Sequence, residues 1–151
     1  MIKVLYVDDE ISNLDSFIAS FRRDFNIKTA KSAEEARIII ETEDIHVLVT
    51  DQRMPGTSGT ILLSEASKKY PNITRILLTG YTDYEALIEA INIGHIYKYI
   101  EKPWDEDVLR QYITDAHNIC ILKRLKESSI KTLKEANEEL ERVLSNKPTN
   151  D

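Results

Sequence analysis

Three aspartates and one lysine stand out in this chain because each lies just after a short apolar run. Asp8 and Asp9 are adjacent and follow "IKVLYV", Asp51 follows "IHVLVT", and Lys102 comes shortly after "IYKYI". Neighbouring carboxylates repel each other, so an ionised pair at the edge of a buried segment needs a compensating positive charge. A hard divalent cation such as Mg²⁺ is the expected partner because it prefers carboxylate oxygens.

The charges of these groups predict a site that can accept one more anion. Three carboxylates, one divalent cation and one lysine sum to zero. Asp51 is alone on its loop and is a candidate nucleophile toward phosphorus, while Asp8 and Asp9 would hold the cation that also binds the incoming phosphoryl oxygens. Lys102 would pair with the resulting acyl phosphate, and the hydroxyl of Thr79, at the end of "TRILLT", would donate a hydrogen bond to it.

Five short apolar runs must position these groups. They are "IKVLYV" (2–7), "IKTA" (27–30), "IHVLVT" (45–50), "TRILLT" (74–79) and "IYKYI" (96–100). The stretches between them have helical spacing, and Ser32 with Glu35 and Thr82 with Glu85 are capping boxes at two helix starts. This alternation predicts an α/β fold with a doubly wound parallel sheet, in which ligands bind beyond the carboxyl ends of the strands.

Composition narrows the classes of function. The chain has 151 residues, 42% of them hydrophobic, which suits one domain with a substantial core plus an appendage. Its net charge of −6 and the absence of aromatic residues interleaved with a basic patch argue against direct nucleic-acid binding. Cys120 is the only cysteine, so no disulfide can form within the chain, as is typical of a reducing compartment. No apolar run approaches the ~20 residues that cross a membrane, and the N-terminus does not have the pattern of a signal peptide. We therefore expect a cytoplasmic protein without a membrane span.

Taken together, the motifs resemble those of the receiver domains of two-component response regulators. The similarity covers roughly residues 2–120 and includes "DD", the loop "DQRMPGTSG", the Thr of "LLTGY", the aromatic residue of "YKYI" and the "KP" of "EKPW", all in the family's order. The resemblance implies a flavodoxin-like sheet with strand order 2-1-3-4-5. It also implies a domain that catalyses only its own phosphorylation and dephosphorylation.

The resemblance assigns a metal site and a phosphoacceptor. Asp51 would accept a phosphoryl group from a sensor histidine kinase or a phosphotransfer protein. Asp9 would bind Mg²⁺ directly together with Asp51, Asp8 would act through water, and the main-chain carbonyl of Arg53 would complete the protein ligands. Lys102 would bind the phosphate.

Two further residues look like the family's switch pair. Thr79 and Tyr99 would change position on phosphorylation and alter the surface formed by the fourth helix, the fifth strand and the fifth helix. A partner or effector would recognise this surface.

Other interpretations of the same residues stay open at this point. Asp8 and Asp9 also suit a helix cap, and Asp51 suits a turn before Pro55 and Gly56. A Mg²⁺-dependent phosphotransferase of the haloacid-dehalogenase type uses similar residues, but its acids form a DxD pattern with the nucleophile on the first strand. A non-phosphorylated interaction module that keeps only the fold is the remaining alternative.

The C-terminal part predicts a long helix. It has no Pro or Gly from Asp105 to Leu144. We expect a receiver domain over 1–120, a helical extension over 121–145 and a disordered tail over 146–151. A seven-residue pattern favours a two-stranded coiled coil and a homodimer, against a solvated single helix, although its middle pair is polar. The a and d positions are Ile119, Leu122, Lys126, Ser129, Leu133, Ala136, Leu140 and Val143. The chain is either a single-domain protein or a fragment of a receiver joined to an effector.

Overall fold

The computed structural model describes residues 1–80, 84–93 and 96–146, where five strands alternate with five helices. The strands are β1 (Lys3–Val7), β2 (Asn26–Ala30), β3 (Val47–Asp51), β4 (Thr74–Thr79) and β5 (Lys98–Glu101). The helices are α1 (Ile11–Phe21), α2 (Ala33–Thr42), α3 (Gly59–Lys69), α4 (Tyr84–Ile93) and α5 (Glu106–Ser145). All five predicted strands are present, and no bound differs from the prediction by more than two residues.

The strands form one parallel sheet in the order β2-β1-β3-β4-β5. This order confirms the predicted flavodoxin-like fold. The pairing aligns Val7 of β1 with Thr50 of β3, and Asp51 with Leu78 of β4. Because every strand runs the same way, the segments that follow β1, β3, β4 and β5 all begin at one edge of the sheet.

Apolar side chains cover both faces of the sheet. Successive residues of β1 alternate between the two layers, with Val4 and Tyr6 in one and Leu5 and Val7 in the other. Helices α1 and α5 contribute to the first layer, and α2, α3 and α4 to the second. This arrangement explains why the strands read as continuous apolar runs and why charged groups collect at the strand ends.

Local side-chain bonds fix two helix starts. Ser32 caps α2, since its hydroxyl accepts a bond of 3.2 Å from the backbone N–H of Glu35. The Glu35 carboxylate reaches back to the N–H of Lys31 instead of that of Ser32, so only half of the predicted capping box forms. Asp105 caps α5 in the same way. The second predicted box includes Thr82, which lies outside the described residues.

Helix α5 is 40 residues long and continues without a break past the predicted boundary at 120/121. Beyond Cys120, the Arg124 guanidinium binds the Asp44 carboxylate at 2.8 and 3.2 Å and also donates to the carbonyl of Ile45. Glu127 accepts a bond from the side chain of Asn72. As far as Glu127, the helix is therefore held against the loops that precede β3 and β4.

The remainder of α5 extends away from the domain. Every described residue from 125 to 146 is exposed, and the helical part after Glu127 is roughly 27 Å long at 1.5 Å per residue. In the described ranges, none of the helices has both the length and the apolar character required for a membrane span.

Candidate functional site

The three predicted carboxylates meet at the carboxyl edge of the sheet. Asp8 and Asp9 follow β1 and Asp51 ends β3. One oxygen from each of the three lies within 4.8 Å of the other two. Asp8 and Asp51 are buried and Asp9 is exposed, so the cluster is open to solvent on the side of Asp9.

Lys102 brings a positive charge to this cluster of carboxylates. Its ammonium lies 2.9 Å from Oδ1 of Asp51 and 3.3 Å from Oδ2 of Asp8. The backbone N–H of Lys102 donates to the carbonyl of Thr79 at 3.0 Å, which ties this segment to the end of β4. The peptide bond between Lys102 and Pro103 is cis. One ammonium thus serves two buried carboxylates.

Lys102 only partly compensates the negative charge of Asp51. Burial raises the pKa of Asp51 above its ordinary value, and the bond from Lys102 offsets that rise only in part. Burial also works against the charged form of Lys102, but the contacts with Asp51 and Asp8 outweigh it and raise the pKa of Lys102. The lysine is held charged, while the pKa of Asp51 stays raised because burial, together with the smaller effect of the Asp8 charge, outweighs the contribution of Lys102. A cation beside Asp9 would supply the remainder.

Asp8 is held by residues that the sequence analysis did not select. Its Oδ2 accepts bonds from the Tyr6 hydroxyl at 2.7 Å and from the Asn13 side-chain amide at 3.1 Å, and its Oδ1 accepts the backbone N–H of Glu10 at 3.0 Å. One signal was available for Tyr6, since residues two apart on a strand lie on the same face. The contact from Asn13 depends on how α1 begins and has no comparable signal.

The loop after Asp51 is fastened to the start of α3 through Gln52. The carbonyl of Gln52 accepts the N–H of Gly59 at 3.0 Å, and its side-chain oxygen accepts the N–H of Thr60 at 2.8 Å. Arg53 lies in this loop and, with Asp9, lines an open cleft of about 440 Å³. Arg53, two residues after Asp51, and Asp9 therefore border the same cleft.

The two predicted switch residues lie in different environments. Thr79 is buried at the end of β4, where its hydroxyl donates to the carbonyl of Gly80 at 3.1 Å. Tyr99 is paired with Leu77 in the sheet, and its side chain is 41% exposed. The structure thus brings together Asp8, Asp9, Asp51 and Lys102, and it places Tyr99 on the outer surface.

The model of the response regulator receiver domain matches residues 4–114 of the chain. The chain belongs to the response regulator receiver family. Its range includes all the residues described above for the site, and the fold and the order of the motifs agree with this membership. The resemblance predicted from the sequence is thereby confirmed.

Curated relatives of this receiver are much longer proteins. It is 40% identical over 113 residues to the hydrogenase transcriptional regulatory protein HoxA of Cupriavidus necator, a match that covers 75% of this chain and 23% of the relative. It is 31% identical over 142 residues to HoxA of Bradyrhizobium diazoefficiens, covering 94% of this chain and 29% of the relative. The chain therefore spans about a quarter of the length of these relatives.

Solved structures share the receiver architecture. A receiver domain protein from Clostridium thermocellum is 33% identical, with a TM-score of 0.75, and the match covers 81% of this chain and 98% of that one. The structure of NtrX from Brucella abortus with ADP is 27% identical with a TM-score of 0.75, covering 84% of this chain but 30% of that protein. The similarity thus includes both separate receiver domains and parts of larger proteins.

Gly59 offers a direct test of the loop geometry. A methyl group at this position would overlap the carbonyl oxygen of Asp51. Alanine in a helix ordinarily stabilises by about 1 kcal/mol relative to glycine, whereas forced overlap in a packed site costs about 1–3 kcal/mol. We expect Gly59→Ala to lower the free energy of unfolding, measured by urea denaturation. Gly80→Ala is the control, since no described residue comes within 4 Å of a methyl group there. Unchanged or increased stability of Gly59→Ala would show that the loop can shift without cost.

Proposed function

We propose that this receiver accepts a phosphoryl group on Asp51, in a reaction that requires Mg²⁺, from a sensor histidine kinase or a phosphotransfer protein. The observation that carries the proposal is the position of the Asp51 carboxylate. It lies 2.9 Å from the Lys102 ammonium and beside the oxygens of Asp8 and Asp9. A nucleophile, a phosphate-binding cation and a pair of metal-binding acids are thus present in one cluster.

In the proposed reaction, a carboxylate oxygen of Asp51 attacks the phosphorus of a phosphorylated donor. The new oxygen–phosphorus bond makes Asp51 an acyl phosphate. The bond between phosphorus and the donor breaks, and its electron pair leaves with the donor, which is a histidine nitrogen in the case of a kinase. Lys102 holds the negative oxygens of the transferring group.

The residues of the cluster fit a hard divalent cation. Asp9 and Arg53 line the cleft, and Asp51 ends β3. The carboxylates of Asp9 and Asp51 and the main-chain carbonyl of Arg53 would be the direct protein ligands, and Asp8 would act through water. The cation would supply charge neutralisation for the phosphoryl oxygens.

The arrangement favours a receiver over a phosphotransferase of the haloacid-dehalogenase type. In that enzyme class the nucleophile lies on the first strand. Here Asp8 and Asp9 are adjacent after β1 and form no DxD pattern, and a separate acid, Asp51, ends β3 at 2.9 Å from the Lys102 ammonium. The match to the receiver family agrees with this assignment.

The proposal is tested with a small phosphoryl donor. Purified chain is incubated with acetyl phosphate and Mg²⁺, and its intact mass is measured over time. We expect a gain equal to one phosphoryl group, which excess EDTA prevents. No gain at any Mg²⁺ concentration would instead support the non-phosphorylated interaction module.

Phosphorylation would also act on Thr79 and Tyr99. A phosphoryl group adds close to two negative charges to the cluster and calls for new donors, of which the buried Thr79 hydroxyl is the candidate. Tyr99 lies beside a cleft of about 470 Å³, which leaves space next to its ring. The cleft is lined by Ile91, Ile96, Tyr97, Lys98, Tyr99, Glu101 and Tyr112. We infer that movement of Thr79 lets Tyr99 turn inward and changes the surface of α4, β5 and α5.

Amide NMR with beryllofluoride, which stands in for the phosphoryl group, measures this change. We expect the amide of Tyr99 and those of neighbouring residues in α5 to shift along with the Asp51 loop. In Thr79→Val the loop should still respond while the response at Tyr99 is lost, because only the hydroxyl donor is removed. Shifts that stay within the Asp51 loop in the wild type would contradict the switch.

The output of the switch follows by analogy with the relatives. Both HoxA proteins are named as transcriptional regulators, so we propose that the receiver controls a transcriptional effector in the cytoplasm, without contacting nucleic acid itself. The exposed part of α5 would join two copies as a homodimer. The interaction between these helices would then carry the signal from the receiver.

A further inference from the structure

The buried carboxylate of Asp8 has an unusual set of donors. Its Oδ2 accepts three of them, the Tyr6 hydroxyl at 2.7 Å, the Asn13 amide at 3.1 Å and the Lys102 ammonium at 3.3 Å. A carboxylate oxygen has two lone pairs, so these donors occupy the acceptor capacity of Oδ2. Oδ1 accepts the N–H of Glu10 and retains a second lone pair for water or a cation.

Among these donors, Tyr6 is the most rigidly placed. It is fully buried on β1, and its ring stacks on Phe17 with centroids 4.2 Å apart and an interplanar angle of 17°. Trp104 contacts the same ring edge-on at 6.2 Å. Neighbouring aromatic rings therefore fix the phenol, and its hydroxyl forms a charge-assisted bond, which is about twice as strong as a neutral one.

Tyr6 also affects how Lys102 is shared. The ammonium lies between Asp51 and Asp8, at 2.9 and 3.3 Å. A donor from Tyr6 on Oδ2 stabilises Asp8 independently of the lysine. Without that donor, Oδ2 would keep only Asn13 and Lys102, so the orientation of Asp8 would depend more on the lysine.

We propose that Tyr6 is a positioning residue of the phosphoacceptor site, whose hydroxyl orients the Asp8 carboxylate so that Oδ2 stays with the protein donors and Oδ1 is presented to the Mg²⁺ shell. This role rests on the proposed function, since it needs the cation at the cluster. Partners that hydrogen-bond a direct metal ligand commonly contribute 10–100-fold to affinity, and Tyr6 acts one step further out, through Asp8 and its water.

The test is the Mg²⁺ dissociation constant of the full chain, measured by calorimetry in the absence of a phosphoryl donor. Tyr6→Phe keeps the ring and its stacking and removes only the hydroxyl. We expect it to weaken Mg²⁺ binding by about 10-fold, the lower end of that range. Tyr112→Phe is the matched control, because Tyr112 packs against the same apolar layer from α5 and its ring contacts Lys98, and it should leave the constant unchanged.

Asn13→Ala is a second variant in case Tyr6→Phe does not fold. Asn13 is only partly buried and donates to the same oxygen, so its loss should weaken Mg²⁺ binding in the same direction. A wild-type dissociation constant in Tyr6→Phe together with a lower melting temperature would make Tyr6 a packing residue and overturn its positioning role. Failure of the wild type itself to bind Mg²⁺ would overturn the proposed function, and this role with it.

Discussion

Replacement of Asp51 by asparagine is expected to abolish uptake of a phosphoryl group from acetyl phosphate. An amide oxygen is a poor nucleophile and cannot form the acyl phosphate. Intact mass over time in the presence of Mg²⁺ measures the effect. Added Mg²⁺ should not restore the reaction, because the missing group is the acceptor.

Asp9→Asn provides the matched comparison within the same cluster. It removes one exposed carboxylate but keeps Asp51 and the Lys102 bond. We expect slower phosphorylation that recovers as Mg²⁺ is raised, since the defect lies in cation affinity. Asp15→Asn, on the exposed side of α1, should behave as the wild type. Labelling of Asp51→Asn at the wild-type rate would assign the acceptor to another residue.

The parts of the site that the sequence predicted are those fixed by the parallel sheet. Continuous apolar runs must be buried on both faces, so the charged residues that follow them are placed at the carboxyl edge. This placement brings Asp8, Asp51 and Lys102 to the same edge of the sheet. The bounds of the strands are less determined. Strand β3 starts two residues after the apolar run does, because the N–H of Ile45 bonds to the carbonyl of Glu43 in a turn.

The parts that could not be predicted depend on packing between distant segments. The alternation along β1 places Tyr6 on the same face as Asp8, but the bond between them also needs Phe17 and Trp104 to hold the ring in place. The ion pair of Arg124 with Asp44 joins residues 80 positions apart. Because this ion pair holds α5 against the domain, the helix leaves the domain surface beyond Arg124, later than the apolar pattern alone indicates. The domain boundary at 120 remains a prediction.

The exposed part of α5 has an apolar stripe that no described residue covers. Four of the predicted a and d side chains, Leu122, Leu133, Leu140 and Val143, are 52–70% exposed. Three further exposed apolar residues occupy flanking e and g positions and widen the stripe. These are Leu125, Ile130 and Leu144. A second copy of the same helix would bury the stripe, as in a two-stranded coiled coil.

The middle of this helix limits the strength of such a dimer. Lys126 and Ser129 occupy an a and a d position and forgo roughly the 1.5–3 kcal/mol that each buried leucine-sized side chain supplies. Leu125 and Ile130 lie beside them and recover part of that burial. We therefore expect a weak dimer that dissociates on dilution and whose main stabilisation comes from Leu133 and Leu140.

The double variant Leu133→Glu/Leu140→Glu is expected to raise the dimer dissociation constant by more than about 100-fold. Each change removes a buried leucine from both copies and places like charges opposite each other, and about 1.4 kcal/mol corresponds to a factor of ten. Molar mass by light scattering across a concentration series measures it. The control, Ser128→Glu/Ser145→Glu, adds the same charge at c and f positions on the outer face and should dimerise as the wild type does.

A truncation after Ser128 separates the helix from the receiver surface as the origin of the dimer. It removes Leu133 and Leu140 but keeps the bonds of Arg124 and Glu127 to the loops before β3 and β4, so the domain retains its contacts with α5. We expect this form to be monomeric at concentrations where the full chain dimerises. If it dimerises as tightly as the full chain, the interface lies on the receiver surface and α5 is a solvated single helix. Beyond Glu127, α5 is the one described element that extends from the domain. If this helix is the interface, a change that phosphorylation makes at the surface of α4, β5 and α5 has to reach the second copy through α5.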